Sequence, residues 1–314
     1  MTMSAQSPLP APKSVSEAAR AALAAPRVTA PWPALSDTDG WEQLVAAADG
    51  GMSTRFSAYA FPGTVADRQV AGVRTFVATP TGASTETGPV YLDLHGGALI
   101  MGGGDLCGTF AAITASTIGL PTWGVDYRMP PRHPFPAGLD DCLAVYRELL
   151  TVRDAADVFI GGNSAGGNLA AALLVRAREE GLPMPAALVL KSPEVDLTES
   201  GDSFTTNLAA DNVLGSLMEI NRLYAAGADL ADPHVSPLFA DLTGFPPTFL
   251  TTGTRDLFLS NAVRMHRSLR AAGVEAELHV FEAMPHGGFG GEAPEDLELA
   301  AEQRRFVDRH RRPA

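Results

Sequence analysis

The sequence predicts an α/β fold: a mostly parallel sheet with helices on both faces. Three observations predict it. From Pro89 onward, short apolar runs alternate with helical stretches, as a sheet covered on both sides requires. The runs are near-continuous in apolar residues, as strands buried on both faces are. One of them, residues 157–161, passes through Gly162-Asn163-Ser164-Ala165-Gly166 into an Ala- and Leu-rich stretch at 169–175. A strand turning that sharply into a helix, with serine at the tip, is a nucleophile elbow.

The elements follow in order. Residues 14–25 read as a helix, and 39–48 as a second one with Trp41, Leu44 and Val45 on one face. Strands are expected at 54–59, 70–78 and 89–94. Leu139, Leu143, Tyr146 and Leu150 fall at i, i+4, i+7 and i+11, one apolar face of a helix. Residues 187–190 read as the strand after the elbow helix. The alternation then breaks at a mainly helical insertion, 202–229, before strands at 247–250 and 276–281. The expected organisation is an N-terminal helical unit, 1–52, and a catalytic unit, 53–314, carrying the insertion.

The chemistry is read from what surrounds Ser164. A Cβ two residues before or after the serine would clash in so tight a turn, which accounts for Gly162 and Gly166. His95-Gly96-Gly97-Ala98 follows the strand at 89–94. The N–H groups of Gly96 and Gly97, with that of Ala165, are the expected oxyanion donors. Such preorganised donors contribute about 3–4 kcal/mol each. In this architecture the acid and then the histidine follow the serine. Asp256 follows the strand at 247–250, and His286 follows the strand at 276–281. His286 is the expected base and Asp256 its orienter, because a serine hydroxyl attacks only once a neutral imidazole takes its proton. His279, His266, His133, His234 and His310 are assigned structural or surface roles. His95 is expected to hold the oxyanion loop. Asp140, Asp141 and Asp196 are rival acids; the first two precede the serine and open a helix, and Asp196 lies too early in the chain.

With these residues assembled, the chain resembles the bacterial esterase branch of the hormone-sensitive-lipase family of α/β-hydrolases. The motifs that carry the resemblance are His95-Gly96-Gly97-Ala98, Asp126-Tyr127-Arg128 running into His133-Pro134-Phe135-Pro136-Ala137, Gly162-Asn163-Ser164-Ala165-Gly166, and the surroundings of Asp256 and His286. The resemblance implies an α/β-hydrolase fold with a helical cap, formed by the N-terminal helices and the insertion. It implies a Ser164-His286-Asp256 triad that hydrolyses short- to medium-chain acyl esters without a cofactor, and a possible homodimer. Lactone hydrolysis, acyl transfer to an alcohol and a non-catalytic binding role are the alternatives. Ile100, Phe289, Phe204 and Leu208 are the residues expected to contact substrate; Leu214, Leu217 and Met218 are the insertion's other apolar residues, and some of the insertion's set are expected to line the pocket. Three positions depart from the family pattern: Ala98 stands for a third glycine, Asn163 for Asp or Thr, and Arg132 for Glu.

Composition narrows the partners. Lys and Arg number 23 against 36 Asp and Glu, a net charge of −13. That balance disfavours nucleic acid and anionic membrane surfaces, and leaves a small-molecule ester as the expected partner. No apolar run approaches the ~18 residues of a membrane span, so stable membrane insertion is not expected. The Ala-, Pro- and Ser-rich start lacks the apolar core of a secretory signal, and a cytoplasmic location is expected. The two cysteines, Cys107 and Cys142, lack metal-ligand spacing and read as reduced core thiols; no metal site is expected.

Overall fold

The computed structural model describes residues 4–6, 9–29, 31–84 and 86–312. The outermost residues of the two expected units, 1–3 and 313–314, lie outside that set. Each apolar run of the sequence becomes a strand whose alternate residues serve opposite faces. The central sheet contains β3 (Gly63–Val70), β4 (Val73–Pro80), β5 (Val90–Leu94), β6 (Thr122–Val125), β7 (Val158–Asn163), β8 (Ala187–Lys191), β9 (Thr248–Gly253) and β10 (Ala276–Phe281). Its order is β10-β9-β8-β7-β5-β6-β4-β3. Pairing is parallel from β10 to β6 and antiparallel for β6/β4 and β4/β3. Apart from it, β1 (Ser4–Gln6) and β2 (Arg27–Thr29) form a small antiparallel pair.

Helices α4 (Ala137–Val152), α5 (Ala165–Glu179) and α8 (Leu259–Ala271) cover one face. Val90, Leu92, Leu94, Ile160, Leu188, Leu190 and Leu250 of the sheet join Leu139, Leu143, Leu169, Leu173 and Met265 there in one buried cluster. On the other face lie α3 (Asp105–Ile118) and α9 (Pro294–Arg309). There Tyr91, Phe159, Ala187, Val189 and Phe249 pack against Ile118 and Phe306. The free thiols Cys107 and Cys142 are buried in α3 and α4.

The remaining helices are α1 (Glu17–Leu23), α2 (Thr38–Phe56), α6 (Ser203–Thr206) and α7 (Met218–Ala225). The N-terminal segment and the 202–229 insertion share one apolar cluster. Trp41 meets Leu217 and Ile220, with Leu44, Phe204 and Leu214 around them, against Ile100, Leu257 and Phe258. Polar contacts tie the same two segments. Arg27 donates to the carbonyls of Leu208 and Asp211, and Asn212 to those of Ala22 and Ala25.

The structure departs from the sequence reading in three places. Residues 54–59 are the last turn of α2 and a bend, not a strand. The helix runs through Gly50-Gly51 because packing sustains it: Phe56 meets Phe110 edge-on at 5.6 Å between centroids. The strand expected at 70–78 is a hairpin, β3 and β4, joined at Ala71-Gly72, both at positive φ (49° and 82°). That is the geometry of a two-residue turn matched to strand twist. Alanine in the first turn position hid it, as did the exposed, non-alternating β3. The insertion is less helical than expected, with α6 and α7 separated by turns. Among the described residues no helix is long and apolar enough to cross a membrane.

Candidate active site

The site lies at the C-terminal ends of β5, β7 and β9 and in the loop after β10. At the end of β7 the chain turns through Ser164, held at φ 57° and ψ −121°, into α5. The turn brings β7, β5 and α5 together so closely that a Cβ on Gly166 would overlap the Leu94 carbonyl, and one on Gly162 the backbone of Gly166. Ser164 N–H donates to the Lys191 carbonyl at 2.8 Å. The strained serine is thus fixed from below by its own sheet.

Ser164 Oγ donates to His286 Nε2 at 2.9 Å. His286 Nδ1–H donates to Asp256 Oδ1 at 3.1 Å. Asp256, fully buried, also accepts from Thr252 Oγ1 at 2.8 Å and Phe258 N–H at 2.9 Å. Burial works against its charge, but His286 and these hydrogen bonds outweigh it and hold the carboxylate below its ordinary pKa. Burial likewise works against an imidazolium at His286. The charge and hydrogen bond of Asp256, joined by the charge of Asp211, outweigh it, and the pKa is raised above 6.5.

Asp211 is the member of this group that the sequence reading missed. It is 2% exposed. Oδ2 accepts from Leu257 N–H at 2.8 Å and from His286 N–H at 3.3 Å. Oδ1 accepts from Val213 and Leu214 N–H. One carboxylate of the insertion therefore grips the backbone of both triad loops. Its neighbours Ala209-Ala210 and Asn212 gave no sign of this, because the contact is entirely tertiary.

The loop after β5 supplies Gly96 and Gly97. A Cβ on Gly97 (φ 132°) would overlap the Met101 carbonyl. The N–H groups of Gly96, Gly97 and Ala165 have no acceptor among the described residues. His95 braces the loop: Nδ1–H donates to the Gly96 carbonyl at 2.9 Å, and the ring stacks on Tyr127 with centroids 4.1 Å apart. Tyr127 Oη donates to the His95 carbonyl at 2.7 Å. Burial depresses the His95 imidazole to about 4, so it stays neutral. Asp126 accepts from Gly104 N–H at 2.9 Å, and Arg128 is paired bidentately with Asp141. Asp126 and Tyr127 thus brace the loop after β5, while Arg128 ties the motif to α4. Asp140 pairs with Arg176 and Asp196 with Arg264, so neither rival acid reaches His286. Arg132 finds a partner in Glu42 of α2 at 2.7 Å.

A cavity of about 600 Å³ opens on Ser164 and His286, with Gly96, Gly97 and Ala98 along one wall. Met52, Phe56, Leu214 and Leu217 line it from α2 and the insertion. Ile100, Phe204, Phe289 and Leu208, expected to contact substrate, are not among the residues that line this cavity. Ile100 and Phe204 turn away into the cluster around Trp41. Phe289 packs with Val15 and Ala19 beneath α1. Leu208 is exposed at the surface, its carbonyl held by Arg27. Nearness in sequence to a catalytic loop did not determine which way these side chains face. Among the described residues no group of three or more His, Cys, Asp or Glu is placed to hold a metal ion.

A serine on a strand-turn-helix elbow, bonded through histidine to a buried aspartate on a mostly parallel sheet, defines the α/β-hydrolase class. Residues 91–289 match the family model described as alpha/beta hydrolase fold. The acetyl-hydrolase of Streptomyces hygroscopicus is 33% identical over 204 residues, 64% of this chain and 68% of that protein. An esterase of Acinetobacter venetianus is 31% identical over 224 residues, 69% and 72% of the two chains. Among solved structures, esterase E25 superposes with a TM-score of 0.84 at 36% identity, covering 97% of both chains. An esterase from the bacterial hormone-sensitive lipase family superposes at 0.78 with 32% identity, covering 90% of this chain and 93% of that one. The chain belongs to the α/β-hydrolase fold family, in its hormone-sensitive-lipase branch of esterases.

Proposed function

We propose that this ester hydrolase works through an acyl-enzyme on Ser164, with His286 as base and Asp256 as its orienter, on short- to medium-chain acyl esters. One observation carries the reading. The hydrogen-bond line Asp256–His286–Ser164 ends in a cavity beside three backbone N–H groups that lack acceptors among the described residues. His286 takes the Ser164 proton as Oγ attacks the ester carbonyl. The charge that forms on the carbonyl oxygen is met by the N–H groups of Gly96, Gly97 and Ala165. His286 then gives its proton to the leaving alkoxide. Water, activated by the same nitrogen, releases the acid. Residues 1–52 and 202–229 act as the cap: Met52, Leu214 and Leu217, with Phe56 just beyond the first segment, wall the cavity and keep bulk water from the reacting carbonyl.

The test is hydrolysis of p-nitrophenyl esters from acetate to palmitate by the wild type and Ser164→Ala. The expected result is activity that falls toward the long chains and drops by three orders of magnitude or more in the variant. Activity that survives Ser164→Ala would refute the assignment. A folded wild type inactive on every chain length, but active on a lactone, would move the substrate class and keep the triad.

A further inference from the structure

The cavity continues past Ser164 along the α3/α9 face of the sheet, and that arm has no place in the mechanism above. Its lining changes character there. Asp93, Lys191 and Thr251 rise from the sheet, Thr114 and Thr117 from α3, and Gln303 from α9. The strand register explains the row. Tyr91, Phe159, Val189 and Phe249 fill this face near the strand starts; the next positions on the same side of β5, β8 and β9 are Asp93, Lys191 and Thr251, and in β7 Gly161 comes next with Asn163 beyond it, level with Lys191.

Several of these polar groups are uncommitted. Gln303 is 1% exposed, and its Nε2 has no partner among the described residues. The Lys191 ammonium makes no hydrogen bond or ion pair among the described residues; Asp93 acts on it only at longer range, and burial lowers its pKa. Asp93, buried and bonded to Thr114 Oγ1 at 3.2 Å, has its pKa raised to about 6 by burial. Two donors without protein hydrogen-bond partners, Lys191 lining the arm and Gln303 Nε2 buried at its wall, make a site for an acceptor beside the Asp93 carboxyl. A plain hydrocarbon chain laid against them would leave both unpaired and desolvated, which is unfavourable. Ile113, Leu299 and Ala300 flank the row and suit the methylenes that would lead to it.

We propose that this arm takes the acyl portion of the substrate and selects acyl chains that carry a second oxygen function, a keto group or a carboxylate, bound by Lys191 and Gln303. The acyl side is assigned because that portion stays on Ser164 through both chemical steps, whereas the alcohol leaves after the first. The inference rests on the triad reading above.

Ethyl hexanoate, ethyl 5-oxohexanoate and monoethyl adipate share one acyl length and differ in the oxygen carried near the far end. Their kcat/KM values on the full chain test the proposal. The wild type is expected to prefer at least one oxygenated ester over ethyl hexanoate by about tenfold or more, the size of one charge-assisted hydrogen bond. Which ester it prefers distinguishes keto from carboxylate. Lys191→Met is expected to bring that ratio toward one, and Gln303→Leu to lower it. Each ratio is taken within one variant, so a general loss of activity cancels. If Lys191→Met fails to fold by thermal melting, Gln303→Leu carries the same test. A wild-type ratio near one, or a preference that both variants retain, overturns the proposal. Ser164→Ala is run beside them. Hydrolysis surviving there would sink the triad reading itself, whereas its loss together with a flat wild-type ratio would sink only this inference.

Discussion

The two faces of the central sheet are made by the same strands and are built on opposite plans. Toward α4, α5 and α8, strand residues such as Leu92, Leu94, Ile160, Leu188, Leu190 and Leu250 are at most 1% exposed and packed solid. Toward α3 and α9, the packing is apolar only near the strand starts. Near the strand ends it gives way to Asp93, Lys191 and Thr251 around open space. Because side chains alternate across a strand, Leu190 and Lys191 are chain neighbours that serve different faces. The closed face holds the elbow in place. The open face sits under the same elbow and can be shaped without disturbing it. Stability and specificity are thus set on opposite sides of one sheet.

The largest effect that could break this comparison comes from those two neighbours. Leu190→Ala should lower stability by about 2–5 kcal/mol, as a large-to-small change in a packed core does. Lys191→Met should leave stability unchanged or raise it, since it removes an ammonium that burial already penalises. Urea unfolding of both variants decides the matter. Equal losses would show that the α3/α9 face is as tightly packed as the other.

The closed face has its own exception. Glu194 follows β8, its carbonyl held by Asn168 of α5 at 2.8 Å, and its carboxyl is 1% exposed. Burial, reinforced by the charge of Glu199, raises its pKa to about 8. A carboxyl raised in the folded state binds a proton there that the unfolded chain has released. Its contribution therefore falls as pH rises from about 4.5 to about 8. Glu194→Gln should remove that slope, so the variant gains on the wild type between pH 5 and 8. Melting curves across that range test it; parallel curves would mean that Glu194 is ionised in the fold.

How much of this was legible in the sequence follows from how local each feature is. The elbow could be read because Gly162 and Gly166 are required by a close approach within one turn. The α/β alternation could be read because each strand is a short apolar run. The positions of Asp256 and His286 followed from chain order and the strand before each. The cavity lining could be read only in part: Leu214 and Leu217 of the insertion line it, but the residues picked out for substrate contact lie elsewhere. Ile100, Phe204 and Phe289 are apolar and close in sequence to catalytic loops or the insertion, but their side chains complete other clusters. Lys191 looked like the end of a strand and nothing more. Asp211 reaches His286 across 75 residues of chain, and no local pattern encodes such a contact. Arg132, a departure without a reason in the sequence, is explained by Glu42 from a distant helix.

Asp211 allows a finer test, because it acts on the triad from the insertion and not from the sheet. Its charge raises the His286 pKa. With neutral His286 as the proposed base, activity should be lost as pH falls through that raised value. Asp211→Asn removes the charge and keeps an acceptor for the N–H groups of Leu257 and His286, at the cost of those that Val213 and Leu214 donate to the other oxygen. The acid limb of the kcat/KM profile should move to lower pH, with activity on the alkaline side of that limb largely retained. An unmoved limb with lower activity at every pH would reduce Asp211 to a scaffold for the two loops.

The smallest expected effect is at Ala98, where the family pattern has glycine. Ala98 sits at φ 51° and is followed by Leu99 at φ 63°, a left-handed pair that side chains adopt at a cost. Ala98→Gly relieves the first of the two but frees the unfolded chain. These effects oppose each other, and the net change in stability should stay within about 1 kcal/mol. Ala98 also lines the cavity beside Gly96 and Gly97. Removal of its methyl should widen the space beside Ser164 and shift the p-nitrophenyl ester preference toward bulkier acyl groups by a few-fold. The Lys191-dependent preference for an oxygenated acyl chain should not move, because that selection is made further along the arm. If both preferences moved together, the mouth of the cavity and its polar arm would be one coupled surface, and the division of labour between the two faces of the sheet would need to include the oxyanion loop.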